Sequence, residues 1–260
     1  MKKTLFLTLL LPILAWAAGP FDGTWKMDPS KTQLSGQKPT VVVLQSGVLQ
    51  TTSSTGEKFN VKADNSDQPG PPEAKTRYDT VAYKVVDDKT IEATGKKDGK
   101  VVWSSRRTVS ADGKTMTSES TSYPEASKQP MTSKFTYTRV AAGPPGSHAI
   151  SGTWQIQSYI PSELLTTYKS TPNGLMMSDP IGESFDAKFD GKDYPVKGAT
   201  GSYTVSLTKV NKRSIDITNK RDGKITGVDH MTVSADGKTM TTKSESKSTG
   251  ATATFIANKQ

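Results

Sequence analysis

The chain of 260 residues has 34 lysines and arginines against 25 aspartates and glutamates, a formal net charge of +9, and no cysteine. Only 33% of its residues are hydrophobic, which is low for one large core and favours two small ones. The lack of cysteine excludes disulfides, iron–sulfur clusters, thiolate zinc sites and a cysteine nucleophile. Two histidines, His148 and His230, leave little material for a histidine metal site or a Ser-His-Asp triad.

The amino-terminal segment has the three parts of a secretory signal peptide. Lys2 and Lys3 give a basic start, residues 5–14 form a short apolar run, and residues 15–17, Ala-Trp-Ala, match a small-x-small cleavage site. The apolar run is far shorter than the ~20 residues that a membrane-spanning helix needs. We therefore expect a signal peptide at 1–17 with cleavage near Ala17, a periplasmic or secreted mature chain, and no transmembrane segment.

The sequence after this segment contains an internal duplication. Residues 108–117, Thr-Val-Ser-Ala-Asp-Gly-Lys-Thr-Met-Thr, recur unchanged at 232–241, and Gly-Thr-Trp stands at both 23–25 and 152–154. The two copies begin more than 100 residues apart, whereas solenoid repeats are about 20–50 residues long, so the duplication indicates two domains. We predict domains at 19–140 and 151–260, joined by a linker at 141–150 that is rich in glycine and proline.

Each copy is predicted to be an all-β meander. Asp-Gly steps lie between alternating segments, which is the strongest local signal for a β-hairpin with a type I′ turn. About eight short strands per copy, joined by tight turns, fit a small closed barrel or a β-sandwich. One segment of the second copy, 161–168, has helical spacing through Leu164, Leu165 and Tyr168, and predicts a short helix there.

Alternation along the strands assigns side chains to the inside or the outside of each domain. The face that carries Trp103 and Arg107 has most of the bulk of its strand, so it is predicted to point inward. Tyr83, Tyr137 and Arg139 fall on inward faces by the same rule. The inward set of the matching strand in the second copy is Ile225, Gly227, Asp229, Met231 and Val233.

The Gly-Thr-Trp segments at 23–25 and 152–154 resemble the first strand of the calycin group, the lipocalins and fatty-acid-binding proteins. In that group the tryptophan closes one end of the barrel and a basic residue of the last strand packs over it. The resemblance implies that Trp25 and Trp154 are barrel plugs and that Arg139 packs on Trp25. In the second copy, Phe-Ile-Ala at 255–257 stands where the arginine would be, so the second copy departs from the pattern.

The chain is also similar to lipocalin-like secreted bacterial domains of unassigned function, in single or tandem copies. The shared features are the Gly-x-Trp start, Asp-Gly-Lys-x-Tyr-Pro at 190–195, and Ser-x-Asp-Gly-Lys-Thr at 110–115 and 234–239. This resemblance covers most of the chain and implies two tandem antiparallel β-barrels, but it carries no chemistry.

Arg107 and Arg139 are the strongest candidates for ligand binding. A charge inside a barrel is costly unless it is paired or solvated, and a guanidinium matches a carboxylate or phosphate. With Tyr83, Trp103 and Tyr137 they would hold an amphipathic acid, the mode that fatty-acid-binding proteins imply. The structural alternative is that Arg139 packs on the plug and that Arg107 pairs with an internal carboxylate or reaches solvent. Met replaces Arg107 in the second copy, so an acid pocket is expected in the first copy alone.

Other functions find little support in the sequence. The Asp-Gly-Lys turns lack the spaced carboxylates of a calcium loop, and no nucleophile–base pair, phosphate loop or metal cluster is visible, so neither an enzyme nor a cofactor is expected. Lysines are dispersed and aromatic residues mostly face inward. The positive charge therefore predicts weak attraction to anionic envelope surfaces. Nucleic-acid binding is not expected, because there is neither a basic patch nor an exposed aromatic platform.

These observations predict an exported, non-catalytic protein that binds a small hydrophobic or carboxylate ligand in its first barrel. The rival is a structural or interaction module of the cell envelope with solid barrels, whose partner is a protein or a cell-wall polymer. A cavity of about 300 Å³ or more in a barrel would favour the first.

Overall fold

The computed structural model describes residues 19–71, 74, 77–124, 130–161, 165–199 and 201–260, so the predicted signal peptide lies outside the described residues. These residues form β-strands and one short 3₁₀ turn at Pro29–Lys31, with no α-helix among them. The strands are β1 (Gly23–Met27), β2 (Gln33–Ser35), β3 (Thr40–Gln45), β4 (Val48–Thr52), β5 (Lys58–Lys62), β6 (Gln68–Pro69), β7 (Thr80–Asp87), β8 (Thr90–Lys97), β9 (Lys100–Val109), β10 (Thr115–Ser122), β11 (Met131–Ala142), β12 (Gly152–Pro161), β13 (Leu165–Thr171), β14 (Gly174–Ser178), β15 (Ser184–Lys188), β16 (Tyr194–Pro195), β17 (Tyr203–Asn211), β18 (Ser214–Arg221), β19 (Lys224–Val233), β20 (Thr239–Ser246) and β21 (Thr252–Lys259).

The strands form two antiparallel sheets, and each sheet curls into a nearly closed barrel. The first barrel has the order β5-β4-β3-β12-β11-β10-β9-β8-β7-β6. The second has the order β15-β14-β13-β1-β21-β20-β19-β18-β17-β16, with β2 paired to β21. Isolated bridges join Asp64 to Lys84 and Ser184 to Lys197 near the two ends of each sheet. The predicted fold class, two antiparallel β-barrels, is confirmed, and near-closure protects the sheet edges.

Each barrel takes its first strand from the other repeat. Strand β1 pairs with β13 and β21, which belong to the second repeat. Strand β12, its equivalent in the second repeat, pairs with β11 and β3 of the first. The predicted boundaries at 19–140 and 151–260 thus describe the sequence repeat, whereas the sheets cross those boundaries at the first strand of each repeat.

The connection between the repeats explains why β12 joins the first barrel. Ala142 at the end of β11 lies opposite Gly152 at the start of β12, so the chain turns straight back on itself. Closing a short loop costs less entropy than carrying the strand to a distant sheet. The predicted linker is consequently packed on the first barrel: Ile150 is fully buried, and the His148 N–H donates to the Leu44 carbonyl at 2.9 Å.

The Asp-Gly steps form hairpin turns of two kinds. Between β8 and β9, Asp98 and Gly99 have φ angles of 48° and 76°, the two left-handed conformations of the predicted type I′ turn. Between β9 and β10 the glycine Gly113 alone is left-handed, with φ 70°, and Asp112 accepts a hydrogen bond from the Lys114 N–H at 3.0 Å. That turn is therefore a hairpin without the predicted I′ geometry, and both patterns recur in the second repeat.

The helix predicted over 161–168 is wrong where the structure describes this segment. Pro161 ends β12, Leu165 begins β13, and Tyr168 lies in the middle of β13; Leu164 lies outside the described residues. Strand β13 contains β-branched threonines, which favour an extended backbone. It also has a hydrogen-bonded partner on each side, β1 and β14, and these ladders outweigh the helical spacing of the leucines.

Inward faces are predicted correctly in the middle of the strands and wrongly at some ends. Met231 and Val233 of β19 are buried as predicted, whereas Ile225 is 51% exposed. The ladder between β18 and β19 shifts its register between Asn219 and Lys220. Such a bulge moves the alternation by one residue, so side chains beyond it leave the predicted face.

The exchanged strand β1 is anchored by the carboxylate of Asp22. It accepts hydrogen bonds from the backbone N–H of Gly19, at 2.7 Å, and from that of Ser170 on β13. Burial raises the pKa of Asp22, but the hydrogen bonds from Ser170 and Gly19 outweigh it and hold the pKa below its ordinary value of 3.8. In the first barrel Ser151 takes the equivalent place, and its hydroxyl accepts from the Leu44 N–H at 2.9 Å.

Engineered disulfides test the strand exchange, since the chain has no cysteine of its own. Thr153 lies opposite Val41 across β12 and β3, and the hydroxyls of Thr24 and Thr167 are 2.9 Å apart across β1 and β13. We expect T153C/V41C and T24C/T167C to form intramolecular disulfides, seen by non-reducing electrophoresis. In an unexchanged molecule β1 would occupy the place of β12. Cross-linking of T24C/V41C without cross-linking of T153C/V41C would contradict the exchange.

The variant D22S, which copies Ser151, tests the anchor of β1 through its pH dependence. The pKa of Asp22 is lower in the folded than in the unfolded chain, where it is about 3.8. The ionised carboxylate therefore stabilises the fold above pH 3.8, and this stabilisation is lost as the pH falls through the pKa of the folded state. We expect D22S to lose less free energy of unfolding than wild type between about pH 5 and pH 2. Urea unfolding at each pH measures this, and equal losses would show that the carboxylate does not anchor β1.

Candidate functional site

A buried tryptophan lies in the core of each barrel in the same setting. Trp154 and Trp25 are each 1% exposed. Their indole N–H groups donate to the carbonyl four residues earlier, that of Ile150 at 2.9 Å and that of Phe21 at 2.8 Å. Because the first strands are exchanged, Trp154 belongs to the core of the first barrel and Trp25 to that of the second. Each barrel thus receives its predicted plug from the other repeat.

Arg139 covers the plug of the first barrel. Its guanidinium carbon lies 4.1 Å from the centroid of the Trp154 ring. It also donates hydrogen bonds to the backbone carbonyls of Gly113 at 2.6 Å, Ala149 at 2.7 Å and Ser151. The guanidinium is therefore held by the backbone and by one ring face, and this arrangement favours the structural alternative for Arg139 over ligand binding.

Lys259 covers the plug of the second barrel, with its Nζ 5.3 Å from the centroid of the Trp25 ring. Two expectations were wrong here: Arg139 does not pack on Trp25, and the second copy does have a basic residue. The exchange moves Trp25 into the other barrel. The ladders align Tyr137 with Ala257, because each lies opposite the equivalent methionine of the preceding strand. Arg139 therefore corresponds to Lys259, two residues beyond the segment 255–257.

Arg107 lies on the inner face of the first barrel. It shares its face of β9 with buried Val109 and lies opposite Ile91 and Ser118, which are also buried. Its own side chain is half-buried, and it forms no hydrogen bond or ion pair with another residue that the structure describes. Burial raises the pKa of the nearby Tyr137, and the charge of Arg107 opposes that rise. The internal carboxylate considered as its partner is not found within the described ranges.

Aromatic side chains line the inner face of the same barrel. Phe135 stacks on Tyr159, with 4.8 Å between ring centroids, and lies 6.4 Å from Tyr137. Trp103 meets Tyr78 edge to face at 5.4 Å. Tyr159 belongs to β12 and so comes from the second repeat. Sequence reasoning missed it for that reason, since the repeat boundary assigns its strand to the other domain.

Trp103 fits into the barrel because the neighbouring strand has glycine opposite it. A Cβ atom on Gly95 would lie 2.0 Å from the Trp103 Nε1. The second repeat reverses the sizes, with Asn219 opposite Gly227. The Trp103 N–H is buried and has no hydrogen-bond partner in the described part of the chain. Since an unpaired buried donor costs about 1–3 kcal/mol, this corner of the barrel is not optimised for stability.

A cleft of about 820 Å³ opens at the mouth of the first barrel. Tyr78, Trp103 and Ser120 contribute its wall on the first barrel, and Glu183 and Ala199 contribute its wall on the second. Burial raises the pKa of Glu183, and the negative charge of Asp179 raises it further, against the opposing effect of Arg221. The wall on the first barrel is thus aromatic and also carries Arg77, Lys97 and Asp98, whereas the wall on the second barrel carries one carboxylate, that of Glu183.

The predicted ligand residues divide into three groups. Arg107 and Tyr137 are neighbours on the inner face, and Trp103 lies at the mouth of the same barrel. Tyr83 is 8% exposed and contributes to the packed core. Arg139 is at the far end of its strand from the cleft, held against the plug. The structure therefore brings Arg107, Tyr137 and Trp103 into one barrel interior and gives the other two a packing role.

The second barrel fills the equivalent space with a polar network. The carboxylate of Asp229 accepts hydrogen bonds from the Asn219 amide at 2.7 Å and from the Ser244 hydroxyl. The Tyr203 hydroxyl donates to the Asn219 side-chain carbonyl at 2.8 Å. Burial raises the pKa of Tyr168, and the charge of Asp229 raises it further. In the sequence, alternation indicates only that Asp229 points inward. Its hydrogen-bond partners come from neighbouring strands, so the network itself could not be predicted.

Comparisons with family models, with curated proteins and with solved structures find no match to this chain. Within the described ranges, no group of three or more histidine, aspartate or glutamate side chains could hold a metal ion. In the same residues, no helix is long and apolar enough to cross a membrane. The assignment of a function therefore depends on the geometry of the first barrel.

Replacing the two basic residues over the plugs tests their structural role. R139M removes three hydrogen bonds and a ring contact, so we expect the free energy of unfolding to fall by about 2–4 kcal/mol. The matched change K259M removes one longer ring contact and should cost less than about 1 kcal/mol. Urea unfolding measures both, and equal effects would contradict the role assigned to Arg139.

Proposed function

We propose that this protein is a non-catalytic binding protein whose first barrel holds a small amphipathic acid. The carboxylate would lie against Arg107, and the apolar body would follow the aromatic side chains toward the mouth. The observation that carries the proposal is the half-buried guanidinium of Arg107 on an inner face, which has no hydrogen-bond or ion-pair partner among the described residues. A charge inside a barrel needs an anion or water to compensate it, and a guanidinium pairs most strongly with a carboxylate, through two parallel hydrogen bonds.

The cleft reaches the inner face of the first barrel at Trp103 and Ser120, and this supports the proposal. Ser105 and Ser120 lie opposite each other between the levels of Trp103 and Arg107 on the inner face, and both are half-buried. Arg107 keeps part of its surface exposed although its strand position points inward. Arg107 does not line the cleft, but only the level of these two small serines separates it from Trp103 on the inner face. The cleft of about 820 Å³ lies in the size range of ligand pockets, about 300–1,000 Å³.

The two barrels differ in the residues that such a site needs. Asp229 and its partners occupy the interior of the second barrel, and the positions equivalent to Arg107, Trp103 and Tyr137 hold Met231, Gly227 and Ala257. We therefore place the acid site in the first barrel alone. The rival function, a structural module with a solid interior, is favoured for the second barrel by its hydrogen-bonded network.

A lipocalin-like relationship and export belong to the same proposal. The buried tryptophan with a basic residue of the last strand over its ring, found in both barrels, supports the resemblance to that group. Residues 1–17 supply the expectation of export. A binder of amphipathic acids would then work in the periplasm or outside the cell, where its positive charge would attract it weakly to anionic envelope surfaces.

A matched pair of variants tests the acid site. R107M introduces the residue that the second repeat has at this position, so the barrel should fold. R106M removes the neighbouring outward arginine, which pairs with Glu92. We expect dodecanoate to bind to wild type and to R106M, and to bind R107M at least about tenfold more weakly, or about 1.4 kcal/mol. Titration calorimetry on the full chain measures the three affinities.

Dodecanol separates the effect of the charge from that of the apolar body. It keeps the hydrocarbon chain and lacks the carboxylate, so R107M should leave its affinity unchanged. Failure of wild type to bind dodecanoate would overturn the proposal. So would equal weakening in R106M and R107M, because the outward arginine faces the other side of the sheet.

A further inference from the structure

We propose that the segment β1–β2 can be exchanged between molecules, so that a second copy of this chain is a partner of the first. The proposal does not depend on ligand binding. It rests on the fact that each barrel includes one long strand of the other repeat, β12 between β3 and β11 and β1 between β13 and β21. Strand β12 is held in the first barrel by its short turn from β11. Strand β1 is followed by β2 and then by β3 of the other barrel, so we infer that the second barrel recognises β1 by its own side chains.

The Gly-Thr-Trp segments of the two donor strands make equivalent contacts in their acceptor barrels. Each Gly-Thr-Trp segment pairs antiparallel with the third strand in the order of its acceptor sheet, β13 for β1 and β3 for β12. Trp25 lies opposite Thr166, and Trp154 lies opposite Thr40. Each indole N–H donates to the carbonyl four residues earlier, and each ring lies beneath a basic side chain. Strand β1 of a second molecule would make these same contacts. A swapped dimer would then differ from two monomers mainly in the entropy of association and in the hinge.

A short hinge delivers β1 and β2 to the second barrel. Strand β2 ends at Ser35 and pairs with β21, whereas β3 begins at Thr40 in the first barrel. The crossing segment is residues 36–39, Gly-Gln-Lys-Pro, and Gly36 has a left-handed φ of 70°. Short hinges favour swapping, because an extended crossing reaches a neighbour as readily as it turns back. Pro39 has a fixed φ that limits how tightly the crossing can bend.

Concentration decides which molecule supplies the strand. Within one chain the hinge holds β1 near its acceptor at an effective concentration of the order of millimolar. Monomers are therefore expected from dilute refolding, and dimers from refolding at concentrations that approach this value. Once closed, a swapped dimer separates slowly, because release of β1 requires the buried Trp25 to leave its core.

Two singly substituted, differently tagged full chains test the proposal. T24C and T167C chains are mixed in urea, refolded together at about 1 µM to about 1 mM and oxidised, and the disulfide-linked heterodimer is measured by non-reducing electrophoresis. We expect its yield to rise with concentration, because Thr24 meets Thr167 in the exchanged ladder. T208C replaces T167C in the control, since Thr208 is exposed on β17. A T24C–T167C yield no higher than the T24C–T208C yield at every concentration would overturn the proposal.

Discussion

The pairing of β11 with β12 is the interaction on which the rest of this molecule depends. It is the longest strand pairing in the described chain, running from Ser133 opposite Pro161 to Ala142 opposite Gly152. It commits the first strand of the second repeat to the first barrel, and it leaves the second barrel without a strand between β13 and β21. Strand β1, with the same Gly-Thr-Trp segment, has the side chains to complete that barrel. One local hairpin thus determines the composition of both sheets.

The two barrels share a frame and differ in their interiors. At the closed end, each has a buried tryptophan, a carbonyl that accepts its N–H, and a cation over the ring. Toward the mouth the side chains diverge in compensating pairs. Gly95 with Trp103 in one barrel becomes Asn219 with Gly227 in the other, so the volume moves from one strand to its neighbour. With Met231 in place of Arg107 and Asp229 in place of Ser105, a hydrogen-bonded polar interior replaces the aromatic interior that carries Arg107.

Much of the fold follows from local sequence patterns, whereas the pairing of strands between repeats does not. Alternation placed Arg107 and Asp229 inward because the side-chain period of a strand is a local property. The exchange was not predictable, because β1 and β12 carry the same Gly-Thr-Trp segment and alternation does not distinguish their acceptors. Tyr159 was missed as a consequence, and Lys259 was missed because the loop before β21 shifts the alignment of the last strands. Whether Arg107 has a partner is a question about other strands, which only the assembled barrel answers.

The exchange of first strands also constrains how this gene could change. Deleting either repeat would take its donor strand away from the barrel that remains, because each sheet includes residues from both halves of the chain. The surviving half would have to pair its own first strand with neighbouring strands whose residues fit the first strand of the deleted half. Neither half is therefore a ready-made single-barrel protein. With the strands exchanged, the two halves evolve together, because a substitution in one first strand acts on the stability of the barrel that the other repeat mainly forms.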